Sequence, residues 1–305
     1  MGRATAATES DGEDRWAELI ASREILAGQS LQTYHAAPIA SRTRAGQYVH
    51  VRTGDMSGLV RRRPYPINTA DSASGTITVQ VATANAAAGR APPGPDAWLA
   101  DRRPGDRVEL SGPLGRPFEV DPRSQHLLLI AEGQGIAGVR ALADEAIRDG
   151  RQVTLLFGAR SAREVYPTSL LPDELEYVVA TEDGSLGHHG PVTDLVPEYE
   201  AWADQSFASG PAALLRSLAH LAATRRERLG VASLGRKRGA GRHIPAGSTQ
   251  ARRKAFLQVA MEQTMGCAAG TCLGCAVLSG SGSPVRVCRE GPVFAAAEID
   301  WEAVQ

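Results

Sequence analysis

Residues 127–157 read LLLIAEGQGIAGVRALADEAIRDGRQVTLLF, and this stretch decides how the middle of the chain folds. It begins with the continuous apolar run Leu127–Ala131, which is typical of a strand buried on both faces of a sheet. A glycine-containing turn follows, then helical spacing over Val139–Asp149 and a second apolar run at Val153–Phe157. Strand, helix and strand in that order predict a βαβ unit. We therefore expect an α/β domain with a mainly parallel sheet.

Further elements extend this domain toward the C-terminus. Tyr177–Thr181 and Ser206–Ser209 have the composition of strands, and Ala212–Ala223 has the pattern of a helix. The predicted domain covers residues 123–224.

The N-terminal part of the chain has a different rhythm, in which short alternating runs are separated by glycines. Candidate strands are Gln47–Val51, Thr76–Val81 and Arg107–Leu110. This spacing predicts a small antiparallel β-barrel over residues 16–122. The small, polar and acidic residues 1–15 are expected to form a disordered tail.

Length and composition exclude several classes of protein. A chain of 305 residues is long enough for two or three domains, and 43% hydrophobic and 22% charged residues are typical of a globular protein. A net charge of −1 gives no reason to expect nucleic acid or an anionic membrane as a partner. With no targeting signal and no long apolar run, we expect a cytoplasmic protein.

Residues 225–254 form a basic segment. It contains ten Lys or Arg, one acid and five glycines. We interpret it as a flexible, solvated insertion, with a docking strip for an acidic partner as the alternative.

All four cysteines lie in a short stretch near the C-terminus: Cys267, Cys272, Cys275 and Cys288. The spacing C-x4-C-x2-C followed by a distant fourth cysteine is that of a plant-type [2Fe–2S] cluster. Small residues among the first three let the backbone curl around a cluster with its amides facing the sulfurs. The alternative is a zinc site, although zinc ribbons usually offer two C-x2-C pairs and this chain has one. A small C-terminal [2Fe–2S] domain over residues 255–305 is the prediction.

With these motifs in hand, the chain resembles the electron transfer subunit of type B dihydroorotate dehydrogenase. The resemblance runs from about Gly46 to Trp301 without the basic insertion. The stretches that carry it are GQYVHV (46–51), RPY (63–65), GPLG (112–115), LFGARS (156–161), TEDGSLGHHG (181–190), MGCAAGTCLGC (265–275) and VCREGPVF (287–294).

This resemblance implies a ferredoxin reductase-like architecture in which an FAD-binding barrel and an NAD(H)-binding α/β domain precede the cluster domain. It also implies an FMN-containing catalytic dihydroorotate dehydrogenase subunit as the partner, in a hetero-oligomer that serves pyrimidine biosynthesis. The chain would be an oxidoreductase subunit without a catalytic acid or base for dihydroorotate.

The resemblance also assigns cofactor-binding residues. Arg63, Pro64, Tyr65 and Pro66 match the flavin motif, in which the arginine would pair with the FAD pyrophosphate and the tyrosine would lie along the ring system. Pro66 stands where the family has Ser or Thr. A basic surface turn is the alternative interpretation. Gly133 and Gly135 stand in the glycine loop of the nucleotide site, where the following helix N-terminus favours an anion.

Two other patterns have structural interpretations. Met261 and Met265, four residues apart, predict core packing on a short helix. The pair His188-His189 predicts a polar loop rather than a metal site.

Three rival functions remain open from the sequence. One is an electron transfer subunit of another redox complex, of the hydrogenase, sulfide dehydrogenase or transhydrogenase type. The second is an iron–sulfur docking subunit that binds neither flavin nor nucleotide. The third is an interaction module built on a four-cysteine zinc site.

Overall fold

A computed structural model of the chain describes residues 16–54, 61–83, 95–228 and 256–304. The predicted disordered tail, and all of the predicted basic insertion after its first four residues, lie outside these ranges. Within them, no helix is both long and apolar enough to cross a membrane.

The N-terminal region is an antiparallel sheet of seven strands. The strands are β1 (Trp16–Leu26), β2 (Gln29–His35), β3 (Tyr48–Thr53), β4 (Arg61–Pro66), β5 (Thr69–Asp71), β6 (Thr76–Ala82) and β7 (Arg107–Leu114). Their order across the sheet is β4-β3-β7-β1-β2-β6-β5. Strand β4 also contacts β6, so the sheet curls around a core that contains Tyr34, Ile77 and Leu110. Two short helices, α1 (Ala37–Ala40) and α2 (Pro95–Ala100), pack against it. The predicted antiparallel β fold is confirmed.

The middle of the chain forms the predicted α/β layer. Its strands are β8 (His126–Glu132), β9 (Gln152–Ala159), β10 (Glu176–Thr181), β11 (His188–His189) and β12 (Gln205–Ser209), and its helices are α3 (Ile136–Arg148), α4 (Val196–Tyr199) and α5 (Ala212–Arg228). Strand β8 lies between β9 and β12 and is parallel to both. Its side chains alternate between two cores, with Leu128 and Ile130 in one and Leu127 and Leu129 in the other. This burial on both faces is the physical reason for the continuous apolar run.

The C-terminal region joins the same sheet. Strand β13 (Leu257–Ala260) pairs in parallel with β12, and β16 (Val293–Ala295) pairs antiparallel with β13. Between them lie a hairpin of β14 (Ala276–Leu278) and β15 (Pro284–Arg286) and the one-turn helix α6 (Val287–Glu290). The segment that carries the cysteines is therefore anchored at both ends in the α/β sheet.

The structure corrects two local predictions. Met261 and Met265 are buried as predicted, but residues 261–265 form no helix and cross from the end of β13 toward the barrel. Helix α5 continues to Arg228, beyond the predicted end at Ala223. His188 and His189 are exposed, as a polar loop would have them, although they add a two-residue strand to the sheet edge.

Close packing at the end of β8 depends on one glycine. Gly135 lies in a right-handed helical turn that begins α3, and a Cβ there would come within 2.2 Å of the Ser209 carbonyl oxygen. Gly133, in contrast, has φ +55° and nothing within 4 Å of its missing Cβ. The two glycines of this turn are thus required for different reasons, one for space and the other for conformation.

We expect Gly135→Ala to destabilise the protein more than Gly133→Ala. The methyl group at 135 meets backbone atoms that cannot rotate away, and such overpacking costs about 3 kcal/mol. The methyl group at 133 contacts no other atom, but an alanine there must adopt the left-handed conformation, which costs about 1 kcal/mol. Urea unfolding followed by circular dichroism measures both variants. Equal shifts of the two midpoints would contradict the packing argument.

Candidate cofactor cavity and cluster loop

A cavity of about 660 Å³ opens where the barrel, the α/β sheet and the C-terminal segment meet. The barrel contributes residues 63–66 of β4, and the α/β layer contributes Ser209, Gly210 and Pro211 after β12. Residues 260–265, which lead from β13 to the cysteines, line it as well. Three segments that are remote in sequence therefore converge on one space.

The predicted flavin residues lie together on one wall. Arg63, Pro64, Tyr65 and Pro66 all line the cavity from edge strand β4. Tyr65 is buried, and its hydroxyl donates a hydrogen bond to Asp96 of α2, which also lines the cavity. Burial raises the pKa of Tyr65, so its hydroxyl stays protonated. Burial also raises the pKa of Asp96, while the Tyr65 hydroxyl and the Arg63 charge oppose this shift. Arg63, which lines the same wall, presents the positive charge of its guanidinium group to the cavity.

Gln80 of β6 supplies an independent indication that the cavity holds a polar group. Its side-chain nitrogen donates to Gln29, whereas its Oε1 is buried without a hydrogen-bond partner among the described residues. A buried carbonyl oxygen without a donor costs about 1–3 kcal/mol. Because Gln80 lines the cavity, a ligand with an N–H or O–H group can satisfy it.

The glycine loop approaches the cavity from the α/β side. Gln134, Ala137 and Gly138 line it, but the predicted residues Gly133 and Gly135 do not. The N-terminus of α3 lies in this wall and favours negative charge. Glu132 is not among the lining residues, and burial together with the nearby Glu182 raises its pKa. The loop therefore keeps this carboxylate out of the cavity.

The predicted cluster loop, residues 267–275, is tightly curled. Ala268 and Leu273 adopt positive φ values of 50° and 56°, and Gly270 has φ 78°. Cys267 and Cys272 are accessible, whereas Cys275 and Cys288 are buried. This conformation directs the backbone N–H groups of Ala269 and Cys272 at the Cys267 sulfur, the arrangement that the small residues of the loop led us to expect.

Hydrogen bonds to sulfur follow from this curl. The backbone N–H of Cys272, the Thr271 hydroxyl and the backbone N–H of Ala269 lower the pKa of Cys267 to about 5, so that this sulfur is a thiolate. The Cys288 N–H donates to the Cys275 sulfur at 3.4 Å. Burial, followed by the neighbouring Cys275, raises the pKa of Cys288 to about 11. Amide donors directed at sulfur are the environment that iron–sulfur clusters use.

The ion pair between Arg286 and Glu290 connects helix α6 to the cluster loop. Arg286 forms a salt bridge with Glu290, which lowers the pKa of Glu290 to about 2, and it donates from Nη1 to the Gly270 carbonyl oxygen at 3.2 Å. The helix that carries Cys288 is thereby fixed to the loop that carries the other three cysteines.

Two hydrogen bonds connect the loop to the barrel. The His50 Nε2 atom lies 3.0 Å from the Met265 carbonyl oxygen, two residues before Cys267. The Tyr48 hydroxyl, on the same strand, donates to the Cys288 carbonyl oxygen at 3.4 Å. Tyr48 also lines the cavity, so one side chain contacts both the cavity and the cysteine segment.

Sequence reasoning missed several of these residues as site residues, namely Tyr48, His50, Gln80, Asp96 and Glu262. Only Tyr48 and His50 gave a signal, since they lie in a stretch that carries the resemblance. In the described part of the chain, no group of three His, Cys, Asp or Glu side chains is compact enough to indicate a metal ion by itself. The assignment of the four cysteines therefore rests on their spacing, on the loop conformation and on similarity.

Comparison with known proteins agrees with this geometry. A family model described as the iron–sulfur cluster binding domain of dihydroorotate dehydrogenase B matches residues 262–300. This span contains all four cysteines and the ion pair that fixes the loop.

Relatives extend the similarity over nearly the whole chain. The electron transfer subunit of dihydroorotate dehydrogenase B (NAD(+)) from Desulforamulus reducens is 28% identical over 94% of this chain and 98% of its own length. The subunit from Bacillus caldolyticus is 28% identical over 92% and 96%.

Solved structures show the same fold. A structure of the NADH-dependent reduced ferredoxin-NADP oxidoreductase superposes with a TM-score of 0.71 at 22% identity, covering 94% of this chain and 90% of that one. The ferredoxin reductase in carbazole 1,9a-dioxygenase gives a TM-score of 0.55 at 23% identity, covering 71% and 65%. The predicted ferredoxin reductase-like architecture with a cluster domain is confirmed. Over nearly its whole length, the chain is therefore similar to the electron transfer subunits of dihydroorotate dehydrogenase B, the proteins that its motifs resemble.

Proposed function

We propose that the chain passes electrons between NAD(H), FAD and a [2Fe–2S] cluster, to or from a catalytic dihydroorotate dehydrogenase subunit. The relatives' shared name and the cluster-domain match support this role. The observation that carries it is the convergence of the flavin motif, the β12 turn and the segment before Cys267 on one cavity.

The residues present fit the cofactors. Arg63 and the N-terminus of α3 offer positive charge to phosphate groups, and Gln80 offers an acceptor that lacks a donor. The four cysteines match the ligand number of a [2Fe–2S] cluster. FAD supplies the conversion between hydride, which carries two electrons, and a cluster that accepts one.

The chain's own residues position these groups. Tyr65 and Asp96 hold the wall behind Arg63, and the close packing of Gly135 on Ser209 fixes the opposite wall. The bonds from His50 and Tyr48 keep the cysteine segment against the barrel. Met265, two residues before Cys267, lines the cavity, so the proposed ligands begin beside it.

The partner in this proposal is an FMN-containing catalytic subunit that oxidises dihydroorotate, and the complex works in the cytoplasm. The four free cysteines support this placement, because thiols that bind a cluster must stay reduced and the cytoplasm is a reducing compartment.

Cys275→Ser is expected to remove the cluster and leave the flavin. Cys275 is buried, and a serine hydroxyl is a poor ligand for iron. Iron, sulfide and flavin are quantified on the purified variant beside Ser281→Ala, an exposed change in the neighbouring hairpin. Full cluster absorbance in Cys275→Ser would refute the ligand assignment.

Arg63→Gln is expected to weaken FAD binding while the cluster remains. Loss of a hydrogen bond to a charged group costs about 1.5–3 kcal/mol, which corresponds to roughly 10- to 150-fold in affinity. Flavin titration of the apoprotein measures this change. Arg52→Gln, on the neighbouring strand β3 and paired with Glu109, is the matched charge control. Equal affinities of the two variants would contradict the assigned role of Arg63.

Co-purification tests the partner. The tagged chain, expressed in its native cell, is expected to capture an FMN-containing protein, and the pair is expected to reduce NAD⁺ with dihydroorotate. Capture of a hydrogenase-type or transhydrogenase-type partner instead would favour the rival redox complexes. A cluster-loaded chain that lacks flavin would favour a docking subunit.

A further inference from the structure

Glu262 is a carboxylic acid inside the cavity that nothing described so far uses. It follows Met261 at the end of β13 and lines the cavity five residues before Cys267. Its side chain is accessible because the cavity is open, yet protein surrounds it closely enough that burial raises its pKa. No hydrogen bond or ion pair joins its carboxyl group to another described residue.

The other titratable and charged groups of the cavity wall differ from Glu262. Tyr48 of β3 and Tyr65 of β4 have pKa values raised by burial, so both hydroxyls keep their protons at neutral pH. Arg63 is permanently charged. Asp96 of α2 already accepts a hydrogen bond from Tyr65. The lining residues contributed by β6, α3 and β12 are uncharged. Within the described wall, Glu262 alone combines an available carboxyl group with a pKa moved toward neutrality.

The chemistry of the proposed function leaves a proton in this cavity. A hydride from NADH consists of two electrons and one proton. The two electrons leave singly through the cluster to the partner, which is their oxidant, whereas the proton cannot follow them. Overall, NADH gives NAD⁺, one proton and two electrons. A carboxylate in the cavity that takes this proton and passes it to water would speed its departure.

We propose that Glu262 is this proton-exchanging group: its carboxylate accepts the proton from the flavin as the electrons depart, and gives it to cavity water. In the reverse direction the carboxylic acid donates the proton. A general acid or base is most effective when its pKa lies near the working pH, which is the direction in which burial moves this carboxyl group. The inference rests on the proposed function, since it requires flavin in the cavity.

The test uses the complete chain with its cofactors and the variant Glu262→Gln, which keeps size and polarity but cannot carry the proton. Glu298→Gln is the control, because Glu298 is an exposed carboxylate outside the cavity. After rapid mixing with NADH, flavin bleaching and cluster reduction are followed separately from mildly acidic to mildly alkaline pH. We expect Glu262→Gln to bind both cofactors and to accept hydride at the wild-type rate. Electron arrival at the cluster is expected to slow by about 10²-fold and to lose its pH dependence.

A second readout does not depend on turnover. The time-resolved infrared difference spectrum, recorded while the reduced flavin loses its electrons, is expected to contain a transient protonated-carboxyl band in the wild type and in Glu298→Gln, but not in Glu262→Gln. A wild-type spectrum without that band, or an unchanged pH profile in Glu262→Gln, would overturn the role of Glu262 while leaving the proposed function intact. A wild-type chain that binds no flavin would overturn both.

Discussion

The hydrogen bond between His50 and the Met265 carbonyl oxygen is the constraint on which the arrangement of the site depends. It joins atoms 215 residues apart in sequence, and the histidine is 2% exposed. Burial lowers the pKa of His50, with the Met265 carbonyl opposing the shift, so the ring is held neutral. Together with the Met261 N–H, which donates to the Pro292 carbonyl oxygen at 3.0 Å, this contact fixes the course of residues 261–265 between the α/β sheet and the barrel. Because these residues line the cavity and lead into the cysteine loop, the cavity and the loop lie side by side.

The cysteine segment relies on its neighbours for a core. Its strands β14 and β15 are three residues each, too short to be stable alone. Cys275, Cys288 and Trp301 instead belong to the same hydrophobic cluster as Leu128 and Ile130 of the α/β sheet. Arg216 of α5 donates to the Trp301 carbonyl oxygen at 2.9 Å and fastens the C-terminal end. The positions of Cys275 and Cys288 therefore depend on the packing of the α/β layer.

Much of this could be read from the sequence, because periodicity and ligand spacing are local properties. The βαβ unit, the antiparallel strands and the four-cysteine pattern are all encoded within short windows. The course of residues 261–265 could not be read in this way. The spacing of Met261 and Met265 is equally consistent with a helix and with an extended segment in which both side chains lie on the same face, and only tertiary contacts decide. Glu262 and Gln80 gave no signal, since their meaning comes from the cavity that remote segments build around them.

The cavity wall formed by residues 63–66 of β4 shows how Pro66, a departure from the flavin motif, is tolerated. Strand β4 lies at the edge of its sheet, and two of its six residues are the prolines Pro64 and Pro66. Prolines lack N–H groups, so an edge strand is where a sheet accepts them. Because Pro64 and Pro66 have no N–H group, the backbone at these two positions cannot donate a hydrogen bond to an anion. A Ser or Thr at position 66 would have supplied a hydroxyl donor as well as the N–H. In the proposed function, phosphate recognition on the barrel side therefore falls to the side chain of Arg63, whereas the backbone at the start of α3 supplies it on the opposite side. The two walls would then bind phosphate by different means, because their backbones differ in what they can donate.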